Sequence, residues 1–212
     1  MALKTSHKVA GASAAAVIAV CVSFTPMWEG TDHVAKYDKI GTGHPLTWCH
    51  GQTPADDKTV KPGQRFTDAQ CDEYLAKSLP KYLDGIGPSV VVPIPVKSMA
   101  SLLDAAYNTG PGAVKKSPMV RLFNEGRPYE ACDAFKGWYI RSAGQVRRGL
   151  IARRAGETIG DTRKSERALC LEGLADKGSL LYLWPDDPAP ANPPAPEAPK
   201  AAALRSWFWS KK

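Results

Sequence analysis

Two acidic side chains nine positions apart, Glu29 and Asp38, are the residues whose types and spacing best fit a defined chemistry. A Gly-rich segment that carries Thr47 follows them. Hydrolysis of a glycosidic bond needs a carboxylic acid that protonates the leaving oxygen and a second carboxylate across the sugar ring. We therefore predict that Glu29 is the acid, that Asp38 stays ionised to orient water or stabilise the transition state, and that Thr47 helps to hold the water.

Short motifs continue from these residues to about residue 172. In chain order they are Glu29-Gly30, Tyr37-Asp38, Thr47-Trp48-Cys49-His50-Gly51, Thr67-Asp68-Ala69-Gln70-Cys71, Tyr107-Asn108-Thr109-Gly110, Ala131-Cys132-Asp133 with Trp138, Arg148-Gly149-Leu150-Ile151 with Arg153-Arg154, and Cys170-Leu171. The ordered set resembles the phage-type (T4-lysozyme-like) muramidases of glycoside hydrolase family 24, and among them the endolysins with a signal-arrest-release N-terminus.

The resemblance implies an α+β, lysozyme-like fold with a mainly helical lobe, a small N-terminal β-sheet and a cleft between them. It implies hydrolysis, with inversion, of the β-1,4 bond between N-acetylmuramic acid and N-acetylglucosamine in peptidoglycan, for lysis of the host cell. A monomer that needs no cofactor and no metal is expected.

Two positions depart from the pattern of the family or leave a choice. The family Thr follows the Asp by six residues, whereas Thr47 follows Asp38 by nine, so Thr42 is a rival for the same role. The resemblance also implies that a cation pairs with Glu29, and we expect Arg154, with Arg153 as the alternative.

The N-terminal residues 1–28 are predicted to form a membrane segment. Residues 9–28 carry no charge, and Lys4 and Lys8 precede them, which places the positive flank in the cytoplasm. Alanines and small polar residues make the stretch weakly apolar. A cleavable signal peptide is the alternative, although no small-residue cleavage site follows the apolar run. The resemblance implies an uncleaved tether at the periplasmic side of the host inner membrane, with later release to the periplasm.

Export would place the five cysteines in an oxidising compartment. Four of them stand at positions that resemble those of the family, and their local order favours the disulfides Cys49–Cys71 and Cys132–Cys170. Cys21 is left over. Its two readings are a small buried hydrophobic residue and a thiol that exchanges with Cys49.

The remainder of the chain divides into a catalytic domain, residues 29–183, and a C-terminal segment, residues 184–212. That segment is rich in Pro and Ala and ends in a basic-aromatic tip around Trp207, Phe208 and Trp209, which is typical of an extended linker with an interfacial contact. The 28 Lys and Arg against 21 Asp and Glu give +7, which favours a polyanionic partner. No nucleic-acid motif accompanies the charge, so peptidoglycan is the expected partner.

Helical patterns dominate after the β-region. Thr67 and Gln70 predict a capping box for a helix that Pro80 should interrupt. A helix with Met99 and Leu102 on its apolar face is predicted to form the core.

Two other functions fit parts of the sequence. His33, His44, Cys49 and His50 are N and S donors close together, as in a zinc-dependent peptidoglycan amidase, but their spacing matches no familiar zinc motif. The cationic core and aromatic tail also fit a membrane-anchored wall-binding protein without catalysis. Wall hydrolysis that persists in the presence of a metal chelator would exclude the zinc amidase. Any catalytic wall hydrolysis would exclude the non-enzymatic wall-binding protein.

Overall fold

The computed structural model describes residues 3–38, 43–142, 144–156, 160–176 and 181–182. The helices are α1 (Leu3–Phe24), α2 (Pro26–Glu29), α3 (Asp68–Ile86), α4 (Val96–Thr109), α5 (Pro111–Lys115), α6 (Pro118–Asn124), α7 (Pro128–Asp133), α8 (Arg148–Ala155) and α9 (Glu166–Ala175). The strands are β1 (Asp32–Tyr37), β2 (Leu46–Cys49), β3 (Ile94–Pro95), β4 (Arg141–Ser142), β5 (Gln145–Val146) and β6 (Leu181–Tyr182). Thr42 and the C-terminal segment 184–212 lie outside the described residues.

The central element is α4, which has the apolar spacing predicted for a core helix. Met99, Leu102 and Leu103 are fully buried, and side chains from α1, α3 and α9 pack around them. Gly173 of α9 lies against Ser98 so closely that a Cβ at Gly173 would stand 2.8 Å from the Ser98 backbone nitrogen. The helical lobe is therefore built around α4, with α9 in direct backbone contact.

The smaller lobe is the antiparallel pair β1–β2 together with the start of α3. Tyr37 pairs with Leu46 and Lys36 with Thr47. Trp48 is fully buried and lies 6.3 Å from the Phe66 ring, centroid to centroid. Because this cluster is separate from the core around α4, a cleft remains between the two lobes.

The N-terminal helix α1 is part of the core of the folded protein. Val17, Cys21 and Phe24 are buried, and the Cys21 thiol donates a hydrogen bond to the Ala100 carbonyl at 3.2 Å. None of the helices in the described ranges is both long enough and apolar enough to cross a bilayer. The membrane role of residues 1–28 therefore stays a prediction.

The predicted small N-terminal sheet is present as the β1–β2 pair, and the described residues also form the two-stranded sheets β3–β6 and β4–β5. One sequence-based expectation about elements is wrong. The capping box at Thr67 and Gln70 is present, but α3 continues through Pro80 to Ile86. Leu79 and Leu83 are buried on either side of this proline, so tertiary packing outweighs the single backbone hydrogen bond that it removes.

Candidate active site

Glu29 is placed by its position at the end of a single helical turn that continues from α1. Only Thr25 separates α1 from α2, and its hydroxyl donates to Asp104 of α4 at 2.8 Å. Pro26 starts α2, and Gly30 ends it with a φ of 74°, a conformation that glycine adopts without strain. Glu29 is therefore fixed to the core helix through the residues just before it.

The Glu29 carboxylate contacts Arg153, and the expectation of Arg154 is wrong. Arg153 Nη1 donates to Glu29 Oε1 at 2.6 Å, and the Glu29 side chain keeps 24% of its surface exposed. Arg154 donates instead to Glu166 and to Asn108 Oδ1, the latter at 2.6 Å. Neighbouring residues on an α-helix point about 100° apart, so only one of the two can face Glu29.

Behind Glu29 lies a buried group of charges that the sequence analysis did not identify. Arg153 also contacts Asp104 at 3.1 Å and Glu166 at 3.3 Å, and both carboxyl groups are fully buried. The sequence feature that could have indicated this group is Asp104, an acidic residue within the apolar run of α4. Burial, and after it the proximity of Asp104, raises the pKa of Glu166 to about 8.

A cavity of about 160 Å³ opens in front of Glu29 between the two lobes. Its lining residues are Glu29, His50, Gly51, Asp56, Ser78, Tyr82, Tyr107 and Asn108. The Tyr107 hydroxyl donates to the His50 carbonyl at 2.8 Å, and burial, followed by the charge of Glu29, raises the pKa of Tyr107. The phenols of Tyr82 and Tyr107 and the amide of Asn108 thus share the cavity with the carboxyl groups of Glu29 and Asp56, a set that can hold sugar hydroxyls next to an acid.

Asp38 and Thr47 lie on the β1–β2 pair and do not line this cavity. Asp38 follows the last residue of β1, and its N–H donates to the Pro45 carbonyl at 2.9 Å. The Thr47 hydroxyl donates to the Lys36 carbonyl at 3.3 Å. Because Thr47 pairs with Lys36, two residues before Asp38, the register puts Thr47 and Asp38 on the same face of the pair.

The histidines of the hypothetical zinc site have separate partners. His33 Nε2 lies 2.7 Å from Asp68, His44 Nδ1 lies 3.0 Å from the Asp38 carbonyl, and His50 Nδ1 lies 2.7 Å from the Gly30 carbonyl. Within the ranges that the structure describes, no three His, Cys, Asp or Glu side chains form a group that could hold a metal ion.

Both predicted disulfides, Cys49–Cys71 and Cys132–Cys170, are confirmed. The first joins the end of β2 to α3, next to the cavity, and the second joins α7 to α9. Cys21 is a free, buried thiol, and its burial raises its pKa well above the ordinary value. A thiol in this state is poorly reactive.

The two lobes, the cleft between them and a partly exposed carboxyl group held by an arginine define a lysozyme-type glycoside hydrolase. The phage lysozyme family model matches residues 26–157. A SAR-endolysin of Bacteriophage PS119 is 32% identical over 145 residues, which cover 68% of this chain and 77% of the relative.

Solved structures are also similar. A crystal structure of a P22 lysozyme mutant has a TM-score of 0.59 at 26% identity, over 71% of this chain and 94% of the lysozyme chain. The muramidase domain of SpmX from Asticaccaulis excentricus has a TM-score of 0.57 at 26% identity, over 72% and 95% of the two chains. The chain belongs to the phage lysozyme family, and it is an endolysin of the lysozyme-type muramidase class.

Proposed function

We propose that this endolysin hydrolyses the β-1,4 bond between N-acetylmuramic acid and N-acetylglucosamine of peptidoglycan, with Glu29 as the general acid. The observation that carries the proposal is the placement of the Glu29 carboxyl group. It is partly exposed to the 160 Å³ cavity on one side and held by Arg153 on the other. An acid in this position can reach a glycosidic oxygen while its rotamer stays fixed.

Glu29→Gln tests the acid, because the amide keeps the shape and has no proton to deliver. We expect hydrolysis of purified peptidoglycan to fall by about 10²-fold or more, while the variant still folds. Glu130→Gln is the control, since Glu130 is an exposed carboxylate on α7. Mass spectrometry of the products should show muramic acid at the reducing end. Anhydro ends would mean a lytic transglycosylase, and substantial turnover by Glu29→Gln would remove this residue from the mechanism.

Asp38 is proposed to stay ionised and to stabilise positive charge at the sugar or orient the attacking water, with Thr47 or Thr42 holding that water. The shared face of Asp38 and Thr47 on the β1–β2 pair supports Thr47. Asp38→Asn should therefore be nearly as severe as Glu29→Gln. Thr47→Ala should lose more activity than Thr42→Ala, and the reverse order would assign the role to Thr42.

We also propose that residues 1–28 tether the new chain to the host inner membrane and that the enzyme becomes active on release to the periplasm. The name SAR-endolysin of the relatives and the uncharged run of residues 9–28 support this. In the folded enzyme Glu29 is five residues beyond the end of α1. A tethered α1 could not pack on α4, and the cleft would be incomplete.

The tether is tested by making α1 more apolar without disturbing the folded state. Among the described residues Ala15 and Ala19 are exposed, so Ala15→Leu with Ala19→Leu adds apolar area on the outer surface of α1. We expect delayed release and delayed lysis, with unchanged specific activity of the purified soluble enzyme. The matched control is Ala15→Ser with Ala19→Ser. Release at the wild-type rate, or a mature N-terminus at or after Cys21, would favour a cleaved signal peptide.

A further inference from the structure

Asp104 connects the two parts of the structure that hold Glu29. It lies within α4 and is fully buried. Its Oδ1 accepts a hydrogen bond at 2.8 Å from the hydroxyl of Thr25, the residue between α1 and the helical turn that ends at Glu29. Its Oδ2 accepts at 3.1 Å from Nε of Arg153, the arginine that also contacts the Glu29 carboxylate. One buried carboxylate thus contacts both the segment that carries Glu29 and its side-chain partner.

The contact with Arg153 works against the use of Glu29 as an acid. A general acid has to carry a proton when the substrate binds, whereas a guanidinium group at 2.6 Å stabilises the ionised carboxylate. Asp104 lies 3.1 Å from the same guanidinium group, and water does not reach it. Its negative charge offsets part of the attraction between Arg153 and ionised Glu29, because charges interact strongly where water is excluded. Asp104 therefore opposes the loss of the proton from Glu29.

Other ionisable groups also surround these two carboxyl groups. Those that face them from neighbouring elements are Cys21, Asp56, Tyr82, Tyr107, Arg154 and Glu166. Burial raises the pKa of the Cys21 thiol and that of the Tyr107 phenol, so neither carries a charge at neutral pH. Glu166 also contacts Arg153, and burial raises its pKa to about 8, so its charge changes within the pH range of an activity profile. The effect of Asp104 therefore has to be measured with and without Glu166.

We propose that Asp104 is a positioning residue for hydrolysis, which fixes Glu29 through Thr25 and Arg153 and raises the fraction of Glu29 that carries a proton. The inference rests on the proposed role of Glu29 as the acid. The two effects can be separated by substitution. Asn in place of Asp104 can accept from Arg153 with its oxygen and donate to the Thr25 hydroxyl with its amide, so it keeps both contacts and removes the charge. Val in place of Thr25 removes one contact and keeps the charge.

The test measures kcat and KM on soluble peptidoglycan fragments from pH 5 to 9. Asp104→Asn should move the alkaline limb of kcat/KM to lower pH by about one unit, because Arg153 then stabilises ionised Glu29 without opposition. The same shift should occur in a Glu166→Gln background, where Glu166 does not titrate. Thr25→Val should lower kcat about tenfold, since a hydrogen bond to a charged group contributes that much, and should leave KM and the position of the alkaline limb unchanged.

Ser101→Ala is the matched control, because Ser101 is a fully buried residue of α4 whose hydroxyl donates to the Ser98 carbonyl at 2.7 Å. It also removes a buried hydrogen bond of α4 and should keep the kcat and the pH profile of the wild type. An unmoved alkaline limb in Asp104→Asn, an unchanged kcat in Thr25→Val, or an equal loss of kcat in Ser101→Ala would overturn the inference. If Asp104→Asn does not fold, Thr25→Val against Ser101→Ala still decides it. Full activity of Glu29→Gln would instead refute the proposed acid itself.

Discussion

Replacement of Arg153 by Met should separate the placement of Glu29 from the stability of the fold. Arg153 is 3% exposed and contacts Glu29, Asp104 and Glu166, so water does not screen these interactions. Removing one partner of a buried charge group costs about 3–5 kcal/mol. At about 2–4 °C per kcal/mol for a domain of this size, the melting temperature should fall by about 6–20 °C.

Arg154→Met is the control that separates the loss of stability from the loss of Glu29 placement. Arg154 is fully buried and contacts Glu166 and Asn108, but not Glu29. Both variants should therefore lose stability by similar amounts, as measured by thermal and urea unfolding. Only Arg153→Met should release the Glu29 side chain, and its kcat at 25 °C should fall by about tenfold or more relative to Arg154→Met.

A double-mutant cycle of Arg153→Met with Glu29→Gln completes the test. Because the two side chains are in contact, the free energies of unfolding should deviate from additivity by at least about 0.5 kcal/mol. Additive effects, together with equal kcat in the two arginine variants, would show that the Arg153 contact does not position the acid.

Two further predictions concern packing and protonation. Gly173→Ala should destabilise the protein by about 1–3 kcal/mol, because the new Cβ would meet Ser98 at 2.7–2.8 Å. Gly149→Ala on α8 is the comparison: a Cβ at Gly149 would meet no neighbouring side chain within 4 Å, so the change should be neutral or stabilising by up to about 1 kcal/mol. Glu166 has a folded-state pKa of about 8 against an ordinary 4.5, so between these two pH values the folded protein keeps a proton that the unfolded chain releases. The free energy of unfolding should therefore fall as the pH rises from 4.5 to about 8. Glu166→Gln should remove that slope in urea midpoints measured from pH 5 to 8, and an unchanged slope would contradict the assignment.

The disulfides, the capped start of α3 and the apolar face of α4 were all readable from the sequence. Each depends on residues close in sequence or on cysteines in a familiar order. The capping box needs only Thr67 and Gln70, which are three positions apart. Local rules of this kind hold because the partners meet as soon as the helix forms.

The arginine that pairs with Glu29 could not be predicted from such local patterns. Arg153 and Arg154 are adjacent, and the choice depends on the rotation of α8 about its axis relative to α2, which no local pattern specifies. Asp104 and Glu166 were missed for a related reason, since their charges are balanced by residues far along the chain. The path of α3 through Pro80 likewise depends on packing that forms only in the folded protein.

The packing of α1 has a practical consequence for preparing the enzyme. Removing a hydrophobic leader is a common step in recombinant expression, but a chain that begins at Thr25 would lack Val17, Cys21 and Phe24 and would leave an apolar strip of α4 open to water. Such a product should aggregate rather than become more soluble. Because α1 is one continuous helix, a synthetic peptide of residues 3–24 supplied during refolding should restore activity by fragment complementation.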